Sequence, residues 1–274
     1  MSTSCVFPLG TARAFELAEQ AGFDGVEVMV TQDPITQDSR ALAWLAARHE
    51  QPVLSIHAPV LLLTQHVWGF NPRTKLERSV ELALDVGAST VVVHPPFRWQ
   101  AGYGRQFLDI VRELSTASGV DIAVENMFTW TVRGHALAAY APGWDPIEMD
   151  CDAVTLDFSH AALSGRDSLE MAGRLGARLR HVHLCDGSAP EAGKMFDEHL
   201  LPGRGAQPVA ETLRYLTDGD WSGSVVAEVS TRGVADDAAR LAILRETVDF
   251  ARTHTARTRR PHSSDAVPSP SASL

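Results

Sequence analysis

Six apolar runs in this 274-residue chain stop on a residue that can hold a metal ion or move a proton. "LSIHAP" ends on His57, "VVVHPP" on His94 and "IAVENM" on Glu125. "VTLDFSH" ends on Asp157 with His160 in the next turn, "HVHL" on His183 and "VVAEVS" on Glu228. The stretch 181–205, "HVHLCDGSAPEAGKMFDEHLLPGRG", then runs into a loop of small, polar and glycine residues that still carries Asp186, Asp197 and His199. A single histidine or carboxylate at a strand end is as often a satisfied polar group as a functional one. Six in succession is different, because gathering carboxylates costs too much unless a cation or a proton compensates. Histidine and carboxylate without cysteine is a ligand set for Zn²⁺, Mn²⁺ or Fe.

Such residues lie about thirty positions apart in sequence, so the fold must gather them. Strands are expected at Gly25–Val30, Val53–His57, Thr90–His94, Asp121–Glu125, Val154–Asp157, Leu179–Leu184 and Ser224–Glu228, with Cys5–Leu9 as a weaker first strand. Helices are expected at Thr11–Ala21, Ser39–Glu50, Pro72–Val86, Arg105–Ser118, Ser168–Gly176, Pro208–Asp218 and Asp236–Thr253. Gly22, Gly87 and Gly119 suit helix C-caps, and Met127–Ala153 reads as a long loop with a short helix. Alternating strands and helices predict a parallel sheet covered by helices. Eight strands at this length give an α/β class (β/α)8 TIM barrel, whose strand carboxyl ends meet at one rim. A doubly wound sheet would favour a glycine-rich phosphate loop, and "FPLGTARA" is a poor one. The barrel is assigned to residues 1–253. Residues 254–274, rich in Ser, Pro and Ala and carrying Arg257, Arg259 and Arg260, read as a disordered tail.

Other residues read as structural. His181 alternates with His183 and is assigned to the opposite strand face, under a helix; Glu27 in "GVEVMV" belongs to an inner hydrogen-bond network. His49, His66, His135 and His254 read as surface groups, and Cys185 as a small core residue without a base partner. The formal net charge of -10 argues against general affinity for nucleic acid. Three scattered cysteines and no basic-then-apolar start point to a reducing, cytoplasmic setting without a signal peptide, and no run is long enough to span a bilayer.

"AGFDGVEV", "VENM", "LDFSH", "HVHLCD" and "AEVS" occur in that order, and over roughly residues 5–250 the chain resembles the xylose isomerase-like TIM-barrel superfamily. That superfamily holds sugar-phosphate isomerases and epimerases as well as endonuclease IV. The resemblance to the isomerases implies one divalent ion on Glu125, Asp157, His183 and Glu228, with Glu125 and Glu228 as the paired acid and base. "DEHLLPGRG" matches the endonuclease IV pattern of Asp-x-His followed by Gly-x-Gly. That enzyme binds three zinc ions through nine ligands. Their counterparts here are His57, His94, Glu125, Asp157, His160, His183, Asp197, His199 and Glu228. Arg204 stands where the family often has an acidic residue, "NMFTWTVRG" lacks the small polar run usual in the nuclease, and Trp68 with Arg73 reads either as a remnant of a groove-entering loop or simply as a lid.

Three functions follow. The first is a divalent-metal isomerase or epimerase of a sugar or sugar phosphate, with Zn or Mn and proton transfer by the paired glutamates. The second, ranked just behind, is an AP endonuclease-like phosphodiesterase with a trinuclear zinc site, the one case in which DNA is the partner. A metal-holding binding protein ranks last. Substrate identity, ion count between one and three, and oligomeric state are not legible.

Overall fold

The computed structural model describes residues 1–59, 64, 66–132, 135–189 and 197–256. Its main sheet contains β1 (Val26–Met29), β2 (Val53–His57), β3 (Thr90–Val93), β4 (Asp121–Glu125), β7 (Val154–Asp157), β8 (Leu179–Leu184) and β9 (Ser224–Ala227). These seven strands run in the order β1-β2-β3-β4-β7-β8-β9, with every adjacent pair parallel. The helices are α1 (Thr11–Ala21), α2 (Ser39–Arg48), α3 (Pro72–Val86), α4 (Ala101–Ser118), α5 (Phe158–Leu163), α6 (Ser168–Leu175), α7 (Val209–Asp218) and α8 (Asp237–Thr255). The result is a TIM barrel that is nearly closed.

Two periods in the sequence produce it. Along each strand, residues such as Ile56, Ile122, Leu156 and Val182 face the helices and join the apolar core, each contributing about 1.5–3 kcal/mol by burial. The alternate residues point into the barrel. On the helices, apolar positions three and four apart meet the sheet, as Ala14, Phe15, Leu17, Ala18 and Ala21 do on α1. Gly22, Gly87 and Gly119 end α1, α3 and α4 at φ +85°, +76° and +74°, the left-handed region that the C-cap reading requires.

The seam departs from expectation. Cys5–Leu9 is no strand: Thr3–Val6 forms a 3-10 turn, started where the Ser2 hydroxyl accepts from Ser4 N. Pro8 lacks the N–H a ladder needs. The closing pairs fall one step earlier, where Ser2 N donates to Ala227 O and Glu27 N donates to Met1 O, both at 2.8 Å. The irregular stretch 127–153 holds the antiparallel hairpin β5 (Trp130–Val132) and β6 (His135–Leu137) and a 3-10 turn at Pro146–Glu148. This places His135 in a strand. Helix α8 runs to Thr255, past the expected boundary, and the tail with Arg257, Arg259 and Arg260 lies outside the described residues. No helix among the described residues is long and apolar enough to cross a membrane.

All three cysteines are buried and unpaired. Burial pushes the Cys5 thiol up to about 12 and raises Cys151 and Cys185 as well. The native protein should therefore leave a thiol-specific disulfide reagent unreacted near neutral pH, and the denatured chain should release colour for all three. Rapid labelling of the native chain would contradict this packing.

Candidate metal centre

The nine expected ligands converge at the carboxyl rim. His57, Glu125 and Asp157 close β2, β4 and β7, His183 stands one residue before the end of β8, and Glu228 follows β9. His94 follows β3, and His160 is lifted into place by α5. Asp157 caps that helix, its Oδ1 accepting from His160 N at 2.6 Å. The ligand atoms fall into three sets, each within 4.8 Å: His57, His94 and Glu125; Glu125, Asp157, His183 and Glu228; His160, Asp197 and His199. Glu125 belongs to two of them.

The imidazoles are aimed by backbone carbonyls. His57 Nδ1 donates to Ala58 O at 3.0 Å, His160 Nδ1 to Asn126 O at 2.8 Å and His199 Nδ1 to Glu228 O at 2.6 Å. Each bond fixes the proton on Nδ1 and leaves the Nε2 lone pair facing a carboxylate. Those Nε2 atoms lie 3.4 Å from Glu125 Oε2, 3.0 Å from Asp197 Oδ2 and 2.7 Å from Asp197 Oδ2 respectively. His94 Nε2 is 2.9 Å from Glu125 Oε2. Yet that oxygen, fully buried, has no aligned hydrogen-bond partner. Two ring nitrogens and a carboxylate oxygen crowd one point without bonding one another, which is the arrangement a cation satisfies.

Electrostatics agree. Burial lowers the His160, His183 and His199 pKa values, but Asp157 and Asp197, Glu228 and its neighbours, and Asp197 respectively outweigh it and hold all three well above the ordinary value. At His94 burial wins and the pKa falls. Burial pushes Asp157 up, whereas at Glu125 and Asp197 the surrounding imidazoles overcome burial and hold the carboxyls well below the usual range. A divalent ion does the imidazolium's neutralising work with two charges and competes with protons for the same lone pairs.

Several supports went unread in the sequence. Asn126 stitches β4 to β7, donating to Asp157 O at 3.0 Å and accepting from Asp157 N at 2.7 Å. Ser159 Oγ donates to Asp197 Oδ1 at 2.6 Å, and Ser4 Oγ to Glu228 Oε1 at 3.0 Å. The first two sit inside "VENM" and "LDFSH", beside ligands already singled out. Asp186 is not a ligand. Buried, it accepts from Gly187 N, Gly203 N, Gly205 N and Gln207 N at 2.8–3.2 Å, and its backbone pairs with Leu200. A Cβ on Gly205 would meet Asp186 Oδ1 at 2.3 Å, which explains the glycine. His181 does not face outward: two residues from His183, it shares that residue's face and lies inside the barrel, 2.9 Å from Glu27 Oε2. Cys185 Sγ sits 3.5 Å from Asp157 Oδ2 as a buried neighbour of the centre.

A cavity of 230 Å³ opens on Asp197, His199 and Glu228, and its wall carries Ser4, Phe7 and Arg232. The Arg232 guanidinium lies 5.4 Å from the Phe7 ring centroid. Beside His160 stands an aromatic group built from Phe97, Phe128, Trp130, Tyr140 and Trp144, with Trp99 stacked on Phe97 and 62% exposed. Arg204 pairs with Glu246, and Arg73 with Glu77 and Glu113, while Trp68 packs on the core. None of the three is aimed at a groove.

Asp186→Ala should remove about 3 kcal/mol, since it strands amides that now share a charged acceptor. That corresponds to a melting temperature lower by roughly 10 °C. Metal content should fall as Asp197 and His199 lose their register, although no ligand is altered. Full metal content in the folded variant would show that the loop is ordered by other means.

The family described as "Xylose isomerase-like TIM barrel" matches residues 15–254. An uncharacterized protein of Mycobacterium leprae (strain TN) is 47% identical over 276 residues, covering 94% of this chain and 97% of its own. A probable endonuclease 4 of Mycobacterium leprae (strain Br4923) is 29% identical over 213 residues, covering 70% and 77%. Among solved structures, a D-tagatose 3-epimerase-like protein superposes with TM-score 0.64 at 24% identity, covering 93% and 98%. The IOLI protein with a binding zinc atom superposes with TM-score 0.66 at 16% identity, covering 93% and 96%. At such identities these two structures establish the fold alone.

Proposed function

Because the chain belongs to the xylose isomerase-like TIM barrel family, whose members include isomerases, epimerases and endonucleases, we propose that it is a metal-dependent enzyme, and specifically a phosphoester hydrolase with a multinuclear divalent-metal centre. This reverses the order of the two leading sequence readings. One observation carries the reversal: the ligands form three adjoining sets, two of them sharing Glu125, not one quartet with bystanders. An isomerase with one ion has no use for His57, His94, His160, Asp197 and His199. A centre that must stabilise both an attacking and a leaving oxygen does.

The residues fit zinc or manganese. His57, His94 and Glu125 would hold one ion, Glu125, Asp157, His183 and Glu228 a second, and His160, Asp197 and His199 a third. Such ions supply positive charge to a phosphoryl group and acidify bound water. The chain's own part is orientation and recognition. Arg232 is the cation on the cavity wall, its guanidinium over the Phe7 ring, placed to meet an anionic substrate. The aromatic group with exposed Trp99 offers a stacking surface for a base or sugar ring. The 29% identity to a probable endonuclease 4 supports this chemistry. The net charge of -10 favours a short phosphoester over an extended duplex.

The isomerase remains the second reading. Its support is the buried quartet, in which Glu125 at the end of β4 and Glu228 just after β9 face the same ring nitrogen at 3.1 and 2.8 Å. In that reading Glu228 takes a proton from a substrate carbon and Glu125 returns one.

The test measures metal stoichiometry and turnover in wild type, in the Asp197→Ala, His199→Ala double variant and in Glu228→Gln. Substrates are simple phosphodiesters, an abasic-site duplex and a panel of sugars and sugar phosphates. We expect about three ions per wild-type chain. The double variant should lose at least one ion and nearly all cleavage, and Glu228→Gln should lose metal affinity and activity. A single ion that survives the double substitution, together with sugar isomerisation and no cleavage, would overturn the hydrolase and establish the second reading.

A further inference from the structure

Beneath the rim lies a second polar layer that the proposed chemistry does not use. Glu27, Ser55 and His181 are each fully buried in the barrel interior below the ligand His183, where apolar side chains would normally fill the space. A carboxylate placed there must earn compensation from specific partners. Glu27 has three. Its Oε1 lies 3.1 Å from His183 Nε2, and its Oε2 accepts from Ser55 Oγ at 2.8 Å and lies 2.9 Å from His181 Nε2.

His183 differs from the other histidines of the centre. His57, His160 and His199 anchor Nδ1 on a backbone carbonyl and present Nε2. His183 is turned the other way. Its Nδ1 faces all three carboxylates of its set: Glu228 Oε2 at 2.8 Å, Glu125 Oε1 at 3.1 Å and Asp157 Oδ2 at 3.7 Å. Its Nε2 faces Glu27. An imidazole that gives a lone pair from Nδ1 must carry its proton on Nε2, and a buried N–H needs an acceptor. A carboxylate acceptor also raises the basicity of the opposite nitrogen more than a carbonyl does.

We propose that Glu27 is a positioning residue of the metal centre, fixing His183 as the Nε2–H tautomer with Nδ1 turned to the ion, while Ser55 and His181 brace its second oxygen. The inference rests on the metal reading above. It makes His183 the most strongly donating imidazole of the centre and its quartet the tightest of the three sets.

The test begins with wild type. A long-range proton–nitrogen correlation spectrum of the zinc-loaded protein, labelled with nitrogen-15 in histidine, should show His183 protonated on Nε2; a proton on Nδ1 overturns the proposal without any variant. Glu27→Gln should weaken zinc binding by about 10- to 100-fold in chelator competition. It should also change the visible spectrum of the cobalt-loaded protein. Ser55→Ala, which leaves the Oε1 contact intact, should fall far short of that loss. A Glu27→Gln protein that is folded by circular dichroism, with wild-type zinc affinity and cobalt spectrum, reduces Glu27 to a packing group and overturns the proposal. If the variant does not fold, the wild-type spectrum still decides. If wild type takes up no divalent ion, the metal reading falls by itself. The same spectrum of the ion-free protein at alkaline pH then decides whether neutral His183 keeps its proton toward Glu27.

Discussion

The arrangement turns on one buried carboxylate. Glu125 closes β4 at 1% exposure, its Oε1 facing His183 and His160 and its Oε2 facing His94 and His57. It joins the His57–His94 pair to the quartet of Asp157, His183 and Glu228. Leaving it uncompensated in such a place would cost several kcal/mol. The surrounding geometry can be seen as the answer to that cost, with imidazoles gathered on both edges and cations implied between them. The short β4–β7 pairing, limited to Val124 with Val154 and Glu125 with Thr155, follows from the same need, because Asn126 takes over where the ladder stops.

The barrel solves the gathering problem by register. His57 pairs beside Met29 and Asp157 beside His183, while Glu125 pairs beside Thr155, so the ligands gather at the rim on staggered strands. Below it runs the belt of Glu27, Ser55, Thr155 and His181. In the lower layer Glu27 is held by Ser55 and by His183 of the layer above, which is what makes a carboxylate tolerable there. The rim loops do a separate job: the turn held by Asp186 delivers Asp197 and His199, and the aromatic group over His160 shapes what can approach.

Much of this was legible in the sequence, for a physical reason. Buried parallel strands are nearly all apolar, so Glu125 after "IAV" or His183 within "HVHL" stands out against its own strand. Helix ends were legible at Gly22, Gly87 and Gly119, where only a residue without Cβ is at ease. What failed involved long-range partners. Nothing local says that Asp186 serves four amides as far off as Gln207, or that Ser4 reaches Glu228 across the closed barrel. His181 was misplaced by a period error, since two positions along a strand return to the same face. Cys5–Leu9 has strand-like residues, but the pairing chain is spent at Ser2.

The seam between β9 and β1 carries a consequence of its own. It is spanned by Met1 and Ser2 through single backbone bonds, where the other joints have whole ladders. Glu27 stands on one side of that joint and Glu228 on the other, and His183 reaches both. Local opening favours regions held by few bonds, and opening here would draw those two carboxylates apart. An ion seated on Glu228 and His183 would act as a rivet across the seam. Its binding energy would count toward keeping the cylinder shut, so occupancy of the centre would be coupled to amide-proton exchange along β1 and β9.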